Sequence, residues 1–311
     1  MTTIQRPTQV IPQTLAHIRR RRIPRRSITA WLFLSPSLIV LLAFTVYPMI
    51  QAAYLSLTDY NLIRPARWVG FDNYVELFHD PAFWNAFWNT IVYAVVVTPA
   101  TVLIALALAI LLDRQFVGRA FVRTSIFLPF IVSLGIIAIA WGFLLDPNIG
   151  LISYWLSQLG IVSGQGLLSD PAWAMPAVMF VGVWKNVGFY MVIYLAGLQS
   201  IPEELREASR LDGANAWQRF RNVTLPLLSN QTMLVSILAL IATLQAFDQI
   251  YVMTHGGPFF RTETLVLLIY REGFQQLRFG YGAAISWVLL AFVLLLSVIQ
   301  YVFFQRRQVK Y

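Results

Sequence analysis

Asp, Glu, Lys and Arg are scarce and unevenly spread along the chain, so the stretches between them set its pattern. Residues 27–58, 81–112, 124–145, 222–247 and 279–305 carry no charge, and 176–198 carries one, Lys185. A helix needs about 20 apolar residues, at about 1.5 Å each, to cross a hydrocarbon core of about 30 Å. Each run meets that length. None alternates with period two, so helices rather than barrel strands would satisfy the backbone in lipid. The pattern predicts an all-α membrane protein with six transmembrane helices, over about 31–51, 87–112, 124–145, 176–198, 225–247 and 281–304. Pro129, Pro176 and Pro226 are expected at helix ends or kinks, as membrane helices tolerate.

Composition agrees with a lipid environment. Only 12% of the 311 residues are charged, against about 25% in soluble domains. With 58% hydrophobic residues and a mean hydropathy of +0.64, polar surface is too scarce to cover a soluble globule. The net charge of +9 suggests nucleic acid until its placement is considered. Seventeen of the 23 basic residues fall in the tail 1–29, the loops 113–123 and 199–222, and the tail 306–311. That bias places both termini in the cytoplasm by the positive-inside rule and interleaves the arginines with lipid spans, leaving no nucleic-acid face. The first apolar run is too long for a cleaved signal peptide. It reads as a retained helix, with an interfacial helix expected before it over 15–22. The polar, aromatic-rich stretch 51–86 is expected to form a small cap.

Several chemistries are excluded. The chain has no cysteine, so disulfides and thiolate sites are absent. Its two lysines, Lys185 and Lys310, stand in no phosphate-binding loop, and His17, His79 and His255 are too scattered for a metal site. No catalytic residue, metal or cofactor of its own is expected.

The segment 200–226, SIPEELREASRLDGANAWQRFRNVTLP, reads as two short helices around a bend. Ser200 and Glu203 have capping-box spacing, Gly213 suits a left-handed helix stop, and Asn215 with Gln218 can cap a second helix ending near Leu225, before Pro226. Read by composition alone, this is a solvated amphipathic loop. Its residue order is more specific. Glu207-Ala208-Ser209, Asp212-Gly213-Ala214, Phe220, Val223, Leu225 and Pro226 resemble the EAA motif of permease subunits in binding-protein-dependent ABC importers. Ser209 replaces an alanine of that motif and Val223 a frequent isoleucine. Further likeness to the sugar-import branch lies in Gly188-Phe189, residues 194–202, Phe247-Asp248, residues 251–254, Gly256-Gly257-Pro258 and Ile269-Tyr270, so that it covers about 30–308. The subunit resembled is the first of the two permeases in maltose-type and glycerol-3-phosphate-type importers, without the large outer domain of the maltose system's own subunit.

The resemblance implies a six-helix permease of a bacterial or archaeal plasma membrane that forms half of a carbohydrate pathway. Its ATPase-coupling residues would be Glu207, Ala208, Ser209, Asp212, Gly213, Ala214, Phe220 and Pro226. The implied partners are a second permease subunit, a dimer of ATP-binding subunits that holds the ATP and Mg, and an extracytoplasmic solute-binding protein. Lys185, a costly charge within a span, is a pathway candidate with Asn186; its alternatives are a structural salt bridge to Asp248 or contact with the sister subunit. Tyr190, Gln245 and Asp248 are further pathway candidates. The alternative substrates are glycerol-3-phosphate or a polyol. An ion-gradient-driven transporter is the alternative class, weakened by the lack of a repeat and of acids central to the spans.

Overall fold

The computed structural model describes residues 25–160 and 166–305. The expected interfacial helix at 15–22 and the tail 306–311 lie outside them; residues 25–29 already belong to the first helix. That helix, α1 (Arg25–Leu41), passes through a π turn (Leu42–Val46) into α2 (Tyr47–Leu55). The expected cap follows as a two-residue antiparallel ladder of β1 (Thr58–Asp59) and β2 (Arg67–Trp68), pairing Thr58 with Trp68, and then α3 (Asp72–His79). Next come α4 (Pro81–Asp113), α5 (Arg119–Ile131), α6 (Leu134–Leu144), α7 (Leu151–Gln158) and α8 (Ala174–Gln199). The remaining elements are α9 (Glu203–Leu211), α10 (Ala216–Arg219), α11 (Leu225–Leu227), α12 (Ser229–Leu244), α13 (Asp248–Met253), α14 (Leu265–Tyr270) and α15 (Phe279–Gln305). Two compact units are distinguished, Met1–Gln51 and Ala52–Tyr311. The described part of the first is helical.

Among the described residues, five helical stretches are long and apolar enough to cross a membrane: Thr29–Leu55, Pro81–Asp113, Ala174–Gln199, Ser229–Met253 and Phe279–Gln305. The third apolar run differs from the expected single helix. It is two helices, α5 and α6, bent by 99° at Val132–Ser133. Pro129 does not make this break; it lies inside α5, and the chain turns extended three residues later, at Val132 (ψ 139°).

The Asp80 carboxylate starts α4 by accepting from the Ala82 N–H at 2.8 Å, and Pro81 sits in the first turn, where no N–H is needed. The buried face of α4 carries Ala86, Thr90, Ala94, Val97, Thr101, Ala105 and Ala109. Their spacing of three or four residues makes one stripe, and their small size lets a second helix approach closely where lipid offers no hydrophobic drive for association. That helix is α8, buried around most of its circumference. Tyr190, Met191, Tyr194 and Leu195 of α8 share one apolar cluster with Ala105, Leu106 and Ala109 of α4 and with Val235 and Ala239 of α12. Around α4 and α8 the unit has two chemically distinct ends, one at Pro81 and one at Asp113.

Candidate functional site

At the Pro81 end, six charged side chains and a phenol form one chain of contacts. Arg271 reaches Glu263 at 2.6 Å and Glu272 at 3.4 Å, Arg278 reaches Glu272 at 3.3 Å and also pairs with Glu76, and Tyr281 donates to Asp80 at 2.7 Å. The guanidinium of Arg278 also lies 4.3 Å from the centre of the Tyr281 ring. Glu263 and Glu272 are almost wholly buried. Burial pushes the Glu263 carboxyl up to about 6; Arg271 pulls it down by less than burial raises it, and Glu272 adds to the rise. The loop before Glu263 is tied to α4 by side-chain amides, Asn85 and Asn89 donating to the Phe260 carbonyl at 2.8 and 2.9 Å. Gly280 completes this end. Its α-carbon sits against the Thr58 carbonyl so closely that a Cβ would overlap it.

Between the two ends lies a cavity of about 230 Å³. α4 contributes Tyr93, Val97 and Thr101, α8 contributes Asn186 and Tyr190, and Leu134 comes from the α5–α6 break. The rest is the end of α12 and the start of α13, including Thr243, Gln245, Asp248 and Gln249. The interruption of the helix at Gln245–Phe247 exposes backbone and amide groups to this space, as broken membrane helices do only where they line a cavity or are buried in protein. One freed carbonyl, Ala246 O, is met by the Thr264 hydroxyl at 3.0 Å. The Gln249 amide donates to the Tyr93 hydroxyl, joining the walls. The lining mixes hydroxyl, carboxamide and aromatic groups with aliphatic ones such as Val97 and Leu134, and Asp248 is its one charged side chain.

Of the five pathway candidates, Asn186, Tyr190, Gln245 and Asp248 are brought together in this lining. Lys185 is not among the lining residues. Its ammonium donates to the Phe130 carbonyl at 3.4 Å and lies 5.1 Å from the centre of the Phe130 ring. No ion pair to Asp248 forms within 4.0 Å. Phe130 O belongs to the last turn of α5, where carbonyls have no helical partner, so Lys185 caps one limb of the broken run. Tyr93, Thr101, Thr243 and Gln249 were not anticipated. They come from three elements, and no spacing in the sequence connects them.

At the Asp113 end, α9 and α10 form the expected bent hairpin. Gly213 takes φ +74°, its N–H bonds to Arg210 O at 3.1 Å, and Ala214 N–H reaches back to Ser209 O at 3.1 Å, the bond pair of a Schellman stop. A Cβ at Gly213 would meet nothing within 4 Å. Asn215 and Gln218 form a full capping box on α10. Ser200 does not cap α9. Helix α8 extends to Gln199, so Ser200 closes that helix instead, its hydroxyl donating to Gly197 O at 2.7 Å. The second helix also does not stop before Pro226; it widens into a π turn (Phe220–Thr224), and α11 continues to Leu227. The motif-like residues divide. Ser209 is buried, Phe220 packs on the apolar cluster of α4 and α8, and Ala214 and Pro226 are half-buried. Glu207, Ala208, Asp212 and Gly213 are exposed. Beside them stand Leu211, 88% exposed, and Trp217, 65% exposed, an apolar patch on a polar hairpin. Leu211 was not anticipated because it lies between the motif's two parts.

Among the described residues no group of three or more His, Cys, Asp or Glu side chains is placed to hold a metal ion.

Spanning helices around a polar cavity, broken at its wall and ending in an exposed bent hairpin, define a membrane permease. Comparison with known proteins gives the family: residues 74–309 match binding-protein-dependent transport system inner membrane components, and the chain belongs to that family. It is 35% identical over 287 residues to the probable ABC transporter permease protein YurN of Bacillus subtilis, covering 91% of this chain and 98% of that one. It is 36% identical over 273 residues to the sn-glycerol-3-phosphate transport system permease protein UgpA of Escherichia coli, covering 87% and 92%. Among solved structures, a chain of a bacterial ABC transporter involved in import of the acidic polysaccharide alginate superposes with a TM-score of 0.77 at 26% identity, over 91% of this chain and 96% of that one.

Proposed function

We propose that this chain is the permease subunit of an ATP-driven importer for an uncharged, sugar-like solute, and that it forms half of the translocation path. In this reading both termini face the cytoplasm, as the placement of basic residues favours. The hairpin Glu207–Pro226 docks on a separate ATPase dimer that holds ATP and Mg. A second permease supplies the other half of the path, and an extracytoplasmic solute-binding protein delivers the solute. One observation carries the reading: the helices that wall the cavity, α4 and α8, end beside the exposed hairpin. Motion imposed on the hairpin therefore has a short route to the cavity wall.

The lining supports a polyhydroxylated solute. Carboxamides, hydroxyls and a carboxylate can each bond sugar hydroxyls, while Phe247 and Tyr190 offer apolar faces. A phosphate ester is the second reading, favoured by the likeness to UgpA. It is the weaker one because no Arg or Lys lines the cavity and Asp248 would repel an anion.

The test is reconstitution in proteoliposomes with the cognate second permease, ATPase and binding protein. ATP-dependent uptake of a neutral oligosaccharide is expected, and Glu207→Ala should reduce it while the solute-binding protein still binds sugar. Uptake that proceeds without the ATPase, driven by an ion gradient alone, would refute the proposal; preferential uptake of glycerol-3-phosphate would select the second reading.

A further inference from the structure

The hairpin is joined to the cavity-lining helices by two kinds of contact. One is apolar: Phe220 rests on the cluster that includes Leu112 and Leu198. Such contact is non-directional and permits sliding. The other is a single guanidinium. Arg206 of α9 donates from Nη1 to the Asp113 carboxylate at 3.0 Å and from Nη2 to the Leu198 carbonyl at 2.5 Å. Asp113 is the last residue of α4, and Leu198 lies in the last turn of α8. The planar fork of arginine thus places one arm on each helix. Among the described residues, Arg206 is the side chain of α9 that hydrogen-bonds to a membrane-spanning helix; Ser209 bonds only within its own helix, to Arg206 O.

The surroundings sharpen this. A cavity of about 240 Å³ separates the hairpin from the helix ends, lined among others by Ile110, Ser209 and Phe220, and the Arg206–Asp113 pair forms part of its wall. The pair is shielded, with side chains 29% and 19% exposed. Asp113 is fixed from its other side, since Arg119 donates to its carbonyl at 3.5 Å and Arg123 to the neighbouring Leu112 O at 2.6 Å. The anchor is held, and the bond to it is directional.

From this geometry we infer that Arg206 is the positioning residue through which displacement of the hairpin reaches α4 and α8 together. The inference rests on the proposed coupling to an ATPase and names the link inside this chain. Without the fork, the hairpin would still dock and the ATPase would still turn over, but the two helices would not follow in step. Lysine has three rotatable donors but no planar fork, and would hold the two helices in a less fixed geometry.

The experiment uses the full importer in proteoliposomes and measures ATP hydrolysed per solute taken up. Arg206→Ala should raise that ratio at least about tenfold, as when a coupled charged pair is broken, with hydrolysis itself within about twofold of wild type. Arg206→Lys should fall between. The chain contains no cysteine, so the double variant Arg206→Cys/Asp113→Cys can be bridged specifically with a short bis-methanethiosulfonate reagent. Bridging should lower the ratio toward wild type, and a reductant should raise it again; a residue needed only for folding would show no such reversal. A wild-type ratio in Arg206→Ala overturns the inference. If Arg206→Ala fails to assemble, the bridged double variant decides, and an unrestored ratio there overturns it as well. If the wild-type chain does not co-purify with the ATPase, the coupling reading fails instead, and that outcome is separate.

Discussion

The two ends of α4 are held in opposite ways. At Pro81, Glu263, Arg271, Glu272, Arg278 and Glu76 share their charges, Tyr281 adds Asp80, and two asparagines hold the adjoining loop. At Asp113, one guanidinium and one aromatic contact join a largely exposed hairpin to the bundle. A cross-braced network resists displacement in every direction, whereas a single directional bond passes motion along its own line. The difference teaches where movement can enter: regions with few buried contacts open most readily, and those with many set the frame.

The contrast is sharpened most by Arg271→Ala. That change leaves Glu263 and Glu272 buried without a shared cation, which costs about 3–5 kcal/mol when one partner of a buried pair is removed. A large fall in the thermal midpoint of the purified protein in detergent is expected. Survival of the midpoint would show that the braced end is not the frame. Next come matched glycine changes. Gly280→Ala drives a Cβ into the Thr58 carbonyl and should cost about 1–3 kcal/mol through overpacking. Gly213→Ala meets open space and pays only the left-handed backbone, about 1–2 kcal/mol and confined to the hairpin. Equal losses of global stability for the two would break the comparison. Since alanine and a larger residue at Gly213 carry the same backbone cost and a Cβ there meets nothing within 4 Å among the described residues, a transport defect greater for the larger residue than for alanine would report on a docked surface.

The smallest effect concerns pH. Glu263 keeps its proton to about 6 in the folded protein, against an ordinary value of 4.5. The folded state therefore binds that proton more tightly, so its contribution is complete below 4.5 and is lost as pH rises through 6. Glu263→Gln removes this slope. The midpoint of the variant relative to wild type should climb between pH 4.5 and 6.5; a flat difference would show that Arg271 cancels burial, and a fall with rising pH below 4.5 that it outweighs it.

Most of the helical architecture was legible because a charge is so costly in hydrocarbon that its absence over twenty residues marks a span. The same signal is blind inside a run. The breaks at Val132–Ser133 and Gln245–Phe247 fall among apolar residues, where bends are decided by neighbours: Lys185 meeting Phe130 O, and Thr264 meeting Ala246 O. The hairpin was read from Gly213, Asn215 and Gln218, whose effects are local. Ser200 was misread because its role depends on where α8 ends. The cavity lining was half visible: Asn186, Tyr190, Gln245 and Asp248 stand out as polar groups within spans, while Tyr93, Thr101, Thr243 and Gln249 acquire meaning only once three helices converge.

The bend between α5 and α6 has a consequence for the surrounding bilayer. Their 13 and 11 residues measure about 20 and 17 Å along their axes. Neither limb alone matches a hydrocarbon thickness of about 30 Å, and at 99° both cannot stand upright together. Lipid tails beside this run therefore meet a short wall, and the leaflets there must either pinch inward or be sealed by another polypeptide.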